Sequence, residues 1–122
     1  MAKRKIAPTS GGEIVVFVTT ASEEEAARIG RAVVEDGLAA CANVIPRIRS
    51  IFRWEGKVSD EQEALMLLKT RADLFDDLAK AVKRHHSYDV PEIIALPIGR
   101  GSADYLKWIR DVTSNRLNSK GE

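Results

Sequence analysis

The chain of 122 residues has the length of one domain, and its 44% hydrophobic and 30% charged residues indicate a folded rather than a disordered protein. Its formal net charge of +1 does not supply the concentrated basic surface that nucleic-acid binding requires. A single cysteine, Cys41, excludes an internal disulfide and favours a reducing compartment. With no secretory signal and no long apolar run, the sequence predicts a cytoplasmic protein without a membrane partner.

The first predicted elements are a strand and an amphipathic helix. A β-branched run without polar alternation over residues 14–20 is typical of a buried central strand. Ser22 followed three residues later by Glu25 forms a capping box, and Gly37 is a typical helix stop. The helix is therefore expected to begin just after Ser22 and to end just before Gly37.

Two long extended segments follow, joined by a tight turn at residues 54–57. Pro46 interrupts the first segment, which indicates an edge strand or a bulge. Residues 39–54 would span roughly 50 Å if fully extended at about 3.3 Å per residue. A compact domain of this length has a radius of gyration of only about 14 Å. The hairpin arm therefore either kinks at Pro46 or overhangs the domain, and the sequence predicts that it packs on or pairs with another subunit.

The second half of the chain contains two further helix starts and one more strand. Asp73 precedes an amphipathic pattern and is predicted to cap a helix that ends at about His86. Pro91 helps to start an apolar strand over residues 92–98, and Ser102 is predicted to cap a third helix. The resulting order is β-α-β-β-α-β, followed by a helix.

This order predicts an α+β, ferredoxin-like sandwich in which one sheet carries two helices on one face. A long hairpin arm between the second and third strands and a C-terminal helix are added to it. The domain is expected over residues 13–113, with a flexible arm over residues 1–12 and a flexible tail over residues 114–122.

The chain's only histidines, His85 and His86, are adjacent. Chelation from a helix needs a spacing of three or four residues, whereas adjacent side chains point about 100° apart. The two rings converge only if the helix ends between them or if symmetry copies bring equivalent rings together. Otherwise they are helix C-terminal residues whose imidazolium groups interact with exposed carbonyls. Imidazole suits copper, zinc or nickel, so these ligands do not fix the metal.

Cys41 lies in a stretch of small residues, where it is either a buried apolar thiol or a thiolate ligand for copper(I). No sequence signature of a catalytic nucleophile surrounds it. No combination of nucleophile, base and orienting group is evident anywhere in the chain. The sequence therefore predicts no catalytic residue and no enzyme.

A second constellation combines charged and aromatic residues. Lys69 ends one apolar strand and Glu92 begins another, so both would need partners if they were buried. One interpretation is a structural ion pair, within or between subunits. The other is a cleft between subunits that binds a small ligand between aromatic walls. The predicted cleft residues are Trp54, Lys69, Tyr88, Glu92 and Trp108.

Basic residues alternate along the predicted arm, at Arg47, Arg49 and Arg53, in the company of aromatic residues. Such a ribbon could contact nucleic acid. However, the return strand carries acidic residues that can pair across the hairpin: Asp60, Glu61 and Glu63. We therefore expect a salt-bridged surface and no nucleic-acid partner.

Six stretches, taken in order, resemble one known family. They are VVFVTT at 15–20, LAACANVIP at 38–46, SIFRWEGK at 50–57, LLKT at 67–70, HSYDVPEII at 86–94 and YLKWI at 105–109. This ordered set, over about residues 13–112, resembles the divalent-cation tolerance proteins called CutA. The resemblance implies a ferredoxin-like fold and a tight homotrimer, in agreement with the overhanging arm. It also implies tolerance of copper and other divalent cations, with copper or a similar ion bound and no organic cofactor.

The chain departs from the pattern of that family at three places. The usual His-Pro-Tyr is a His-Ser-Tyr here, with Ser87 in place of proline. The proline that usually follows the first strand is absent near Ala21 and Ser22. Some relatives have a cysteine, a proposed copper ligand together with the two histidines, where this chain has Val18. The thiol–histidine site of the family is thus incomplete.

Two hypotheses about function follow. In the first, a trimeric metal-responsive protein contacts copper or a similar ion through His85, His86 and Cys41. In the second, a trimeric sensor or scaffold binds a small ligand or a protein partner at the subunit clefts without catalysis. The second hypothesis rests on fold analogy with small-molecule signalling proteins.

Overall fold

The structure is a computed structural model that describes residues 12–120, with side chains up to residue 113. The predicted flexible arm therefore lies outside the described residues except for Gly12, and so does the end of the predicted tail, residues 121–122. The elements in chain order are β1 (Glu13–Thr20), α1 (Glu23–Glu35), β2 (Cys41–Trp54), β3 (Lys57–Arg71), a 3-10 turn (Ala72–Leu74), α2 (Phe75–His85), β4 (Ile93–Pro97) and α3 (Ala103–Lys120).

The strands form one antiparallel sheet in the order β2-β3-β1-β4. Strand β1 lies in the middle, where it pairs with β3 from Glu13 opposite Arg71 to Thr20 opposite Ala64. Its other edge pairs with β4. The α+β class and the predicted order of strands and helices are thus confirmed.

The core lies between one face of the sheet, here called the inner face, and helices α1 and α2. In β1 the inner residues Ile14, Val16 and Val18 are buried, while Val15 and Phe17 on the outer face are only half-buried. The remaining core side chains come mainly from α1, β3 and α2: Ala26, Ile29, Val33, Ala64, Met66, Leu68, Leu74, Leu78, Ala81 and Val82. Helix α3 instead contacts the outer face, which it covers only in part.

Local signals in the sequence account for the ends of α1. The hydroxyl of Ser22 accepts a hydrogen bond from the Glu25 N–H at 3.1 Å, and the Glu25 carboxylate accepts one from the Ala21 N–H at 3.2 Å. The helix ends before Gly37, whose φ of 74° is readily adopted by a residue without Cβ, and whose N–H donates to the Val34 carbonyl. The predicted capping box and helix stop are both confirmed.

The hairpin and its tight turn are as predicted, whereas the packing of the arm on another subunit stays a prediction. Residues Glu55 and Gly56 both have positive φ, 50° and 79°, as the central residues of a type I′ hairpin turn do. The β2–β3 register is irregular between Ile45 and Ile48, around Pro46, and β2 is an edge strand. Because β1 reaches β3 only as far as Ala64, the part of the hairpin beyond that point pairs only with itself.

The sequence-based boundaries of the second and third helices need correction. Asp73 does not cap α2: it lies in the 3-10 turn, with its carboxylate 3.2 Å from Nε of Arg71. Helix α3 begins after Ser102 as predicted, but its backbone continues to Lys120, through most of the segment predicted as a tail. No helix within residues 12–120 is both long and apolar enough to cross a membrane.

Candidate functional site

The side chain of His86 is fully enclosed just after the end of α2. Its Nε2 lies 2.8 Å from the carbonyl oxygen of Thr19, and its Nδ1 lies 3.0 Å from the backbone nitrogen of Tyr88. A carbonyl oxygen can only accept and a backbone N–H can only donate. Nε2 therefore faces an acceptor and Nδ1 faces a donor, so both nitrogens are engaged.

The buried carboxylate of Glu25 lies beside this ring and ties α1 to the turn after α2. Its oxygens accept hydrogen bonds from the Ser87 N–H at 2.7 Å, the Ser87 hydroxyl at 3.1 Å and the Ala21 N–H. Burial alone would raise the pKa of Glu25, but the hydrogen bonds from Ser87 and Ala21 outweigh it and hold the pKa below its usual value. Nδ1 of His86 lies 3.6 Å from the Glu25 carboxylate, and its electrostatic effect is a further, smaller cause of the lowered pKa of Glu25.

Tyr88 connects the same turn to β3. Its hydroxyl donates to the carboxylate of Glu63 at 2.6 Å, and its ring lies 4.8 Å from the His86 ring. Burial raises the pKa of Tyr88, and the hydrogen bond to Glu63 with its negative charge raises it further. The phenol thus stays protonated and serves as a donor.

His85 stands in different surroundings from its neighbour. The residue is exposed at the end of α2, and its backbone carbonyl accepts a hydrogen bond from Arg28 at 3.4 Å. The adjacent rings do not converge, because His86 turns inward into the enclosed position described above. The two histidines thus differ in the access that a cation would have to them.

Cys41 belongs to a separate polar cluster on the outer face of the sheet. Its Sγ lies 3.7 Å from the hydroxyl of Tyr105 and 3.8 Å from Oδ1 of Asn43. This Oδ1 also accepts a hydrogen bond from Nζ of Lys69 at 2.7 Å. The hydrogen bond with Cys41 raises the pKa of Tyr105, and burial adds to this effect. Tyr105 also packs against Trp108, with ring centroids 5.4 Å apart.

One chain does not bring the predicted metal residues together. Cys41 lies opposite Lys69, which lies opposite Val15, whereas His86 contacts Thr19. Four residue steps along β1 separate Val15 from Thr19, which corresponds to about 13 Å. Across residues 12–113, no group of three His, Cys, Asp or Glu side chains is arranged to hold a metal ion.

The predicted cleft residues are also dispersed within one chain. Trp54 is 52% exposed beside the hairpin turn, while the hydroxyl of Tyr88 is hydrogen-bonded to Glu63. Glu92 is exposed and immediately precedes Ile93, the partner of Val18, so it lies away from Lys69 at the other end of β1. Only Lys69 and Trp108 come near a common cluster, through Asn43 and Tyr105. A cleft with all five residues therefore needs more than one subunit.

Three polar residues in these clusters were missed from sequence: Glu25, Asn43 and Tyr105. Glu63, which was expected to pair across the hairpin, accepts a hydrogen bond from Tyr88 instead. The capping box identified Glu25 only as a helix-start residue, because its contacts with Ser87 span 62 positions. Tyr105 had a usable signal, since it precedes Trp108 by three residues and so shares its helix face. Asn43 had none, because its partner Lys69 comes from another element.

A sequence profile described as "CutA1 divalent ion tolerance protein" matches residues 14–112 of this chain. The chain belongs to the CutA1 family. The match extends from β1 into α3 and so includes both polar clusters.

Individual CutA proteins are similar over most of this chain. The "Divalent-cation tolerance protein CutA" of Thermus thermophilus is 50% identical over 83% of this chain and 98% of the relative, and its solved structure has a TM-score of 0.81 with the same shares covered. "Protein CutA, chloroplastic" of Arabidopsis thaliana is 45% identical over 84% of this chain, which spans only 56% of that relative. The solved "Periplasmic divalent cation tolerance protein CutA" of Archaeoglobus fulgidus is 40% identical over 83% of this chain and 98% of its own, with a TM-score of 0.80.

Proposed function

We propose that this chain acts as a homotrimer in the tolerance of divalent cations, copper among them, and that it does so by binding such ions. Membership of the CutA1 family over residues 14–112 supports the role in tolerance. The relatives from Thermus thermophilus and Archaeoglobus fulgidus carry this role in their names. Catalysis is not part of the proposal.

The exposed apolar side chains on the outer face of the sheet are the observation that supports assembly into a trimer. Large apolar side chains on this face and on the adjoining helix are 39–55% exposed in the single chain: Ile45, Ile94, Leu96, Tyr105, Trp108 and Val112. Soluble monomers rarely expose contiguous apolar patches of this kind. Association of subunits through this face, with the overhanging arm reaching a neighbour, removes that surface from water.

The candidate ligands for copper are His85, His86 and Cys41, and they are not equally available. His85 is exposed and Cys41 is half-buried, whereas His86 has both ring nitrogens engaged. Imidazole and thiolate groups are ligands that copper prefers. In our proposal His85 and Cys41 contact one ion from different subunits.

The test combines oligomeric state with copper uptake. Sedimentation equilibrium is expected to give the mass of a trimer at all working concentrations. Isothermal titration with Cu²⁺ is expected to show uptake by the wild type and a loss of uptake in the H85A/H86A double variant, with C41S reporting on the thiol. Unchanged titration of the double variant would exclude the histidines as ligands.

A second candidate function is a small-ligand or protein-partner site between subunits. The Cys41 cluster supports it, because Lys69, Asn43 and Tyr105 place polar groups on an otherwise apolar face. Polar groups that association buries need partners, which a ligand can supply. In a metabolite screen, K69A is expected to abolish a melting shift seen in the wild type while the trimer persists. A screen that never shifts the wild type removes the support for this candidate.

The proposed location is the cytoplasm, on the basis of the sequence. Relatives in the family carry the words "chloroplastic" and "periplasmic" in their names, so family membership alone does not determine a compartment. Fractionation of the native host with an antibody against the chain tests the proposal. Recovery from an extracytoplasmic fraction would contradict it.

A further inference from the structure

Two neighbouring histidines have opposite environments at the end of α2. The His86 side chain is inaccessible to solvent, whereas His85 is exposed. Within the described residues, the only hydrogen bond of His85 beyond its own helix is the one that its carbonyl accepts from Arg28. The pair therefore offers a cation one accessible ring and one enclosed ring.

Metal binding requires a free lone pair on an imidazole nitrogen. In His86, Nε2 faces the Thr19 carbonyl oxygen, which can only accept a hydrogen. The lone pair on Nδ1 accepts the Tyr88 N–H. His86 thus has no nitrogen left for a cation as long as these two hydrogen bonds persist.

Moving the His86 ring out of its enclosed position would disturb contacts among several elements. The imidazole connects the end of β1, through Thr19, with the turn that contains Ser87 and Tyr88. That turn is also held by Glu25 from α1 and, through the Tyr88 hydroxyl, by Glu63 from β3. A rotation that exposed the ring would break contacts to the elements on both sides of it.

We propose that the two histidines have separate roles. His86 is a positioning residue that fixes the turn before β4, and His85 is the one imidazole that the chain offers to a divalent cation such as Cu²⁺. The second half of this statement rests on the proposed function, since it assumes that the chain binds a metal. The first half is independent of any metal.

Chemical modification without metal tests the access to the two rings. Diethyl pyrocarbonate acylates accessible unprotonated imidazole, and tandem mass spectrometry locates the product. We expect one modified histidine per native chain, at His85. H85A is expected to have no modified histidine until urea unfolds it, after which His86 reacts. Modification of native His86 as fast as His85, or protection of both rings, would overturn the proposal.

Thermal unfolding of matched variants tests the structural role. H86Q keeps a donor in the place of Nε2 but lacks the Nδ1 acceptor, and H86A lacks both. We expect H85A to melt near the wild type, H86Q below it and H86A lowest, by about 5 °C or more. Equal melting temperatures for H85A and H86A would contradict a positioning role.

Titration with Cu²⁺ alone then separates this proposal from the broader one. H85A is expected to lose copper uptake, while H86Q retains it. Uptake lost in H86Q and kept in H85A would overturn the division of roles. If the wild type takes up no copper, the proposed function fails in its metal-binding part and His85 loses its role. The modification and melting experiments still decide the role of His86 in that case.

Discussion

At the scale of single residues, Glu25 connects distant parts of the chain. It accepts hydrogen bonds from the N–H and the hydroxyl of Ser87 and from the Ala21 N–H, and it is 7% exposed. A proline at position 87 would have no N–H and no hydroxyl to donate. Ser87 therefore supplies a buried carboxylate with two contacts that a proline could not make.

Replacing Glu25 with glutamine should lower the free energy of unfolding at pH 7 by about 1–3 kcal/mol, because a donor amide then faces donors from Ser87 and Ala21. The folded pKa of Glu25 lies below its usual value of 4.5. Its contribution is thus present above the unfolded pKa and is lost as pH falls through the folded value.

Urea denaturation of E25Q and the wild type across this pH range is the measurement. The difference between their free energies of unfolding should shrink on acidification. The control E24Q, at an exposed neighbouring position, should match the wild type throughout. A difference that stays constant down to pH values well below the usual pKa would contradict this assignment.

At the scale of elements, the position of α1 on the sheet depends on a close approach at Gly30. A Cβ at this position would lie 2.8 Å from Cβ of Ala42 on β2 and 3.1 Å from the sulfur of Met66 on β3. Real Cβ atoms essentially never come as close as the first of these distances. The absence of a side chain at residue 30 therefore sets the distance between helix and sheet.

We expect G30A to be destabilising. Alanine gains about 1 kcal/mol over glycine in helix propensity, but overpacking against the sheet costs about 1–3 kcal/mol. G99A is the matched control, because a Cβ there meets no atom within 4 Å. Melting temperatures of the two variants are the measurement, and a G30A protein as stable as G99A would show that α1 shifts without cost.

The sequence predicted those elements whose signals are local. The capping box of Ser22 and Glu25, the turn at Gly56 and the bulge near Pro46 involve residues within a few positions of one another. Asp73 is not a helix cap because it lies within a 3-10 turn that precedes α2, and its carboxylate contacts Arg71. The contacts of His86 were not predictable, because Thr19 is 67 positions away and only the folded sheet brings it near.

At the scale of the whole molecule, two features of the single chain indicate association with further copies. The arm formed by the ends of β2 and β3 pairs only with itself beyond Ala64. The outer face of the sheet exposes Ile94 and Leu96 by 54% and 55%. Apolar surface in a sheet face and a protruding hairpin are both stabilised by association with further copies.

Leu96→Asp tests this face directly. In a lone chain the change should cost little, since the side chain is already more than half exposed. In an assembled protein it buries a charge in an apolar interface, which should shift the sedimentation coefficient toward that of the monomer. A27D places the same charge on the exposed side of α1 and should leave the assembly intact. An unchanged L96D assembly would exclude this face as the interface.

Native mass spectrometry of the copper-loaded wild type and H85A tests the central claim most directly, because one spectrum reports both subunit number and bound metal. We predict a trimer that carries copper in the wild type and a trimer that has lost copper in H85A. A monomeric mass for the wild type, or equal copper content in the two proteins, would contradict the account.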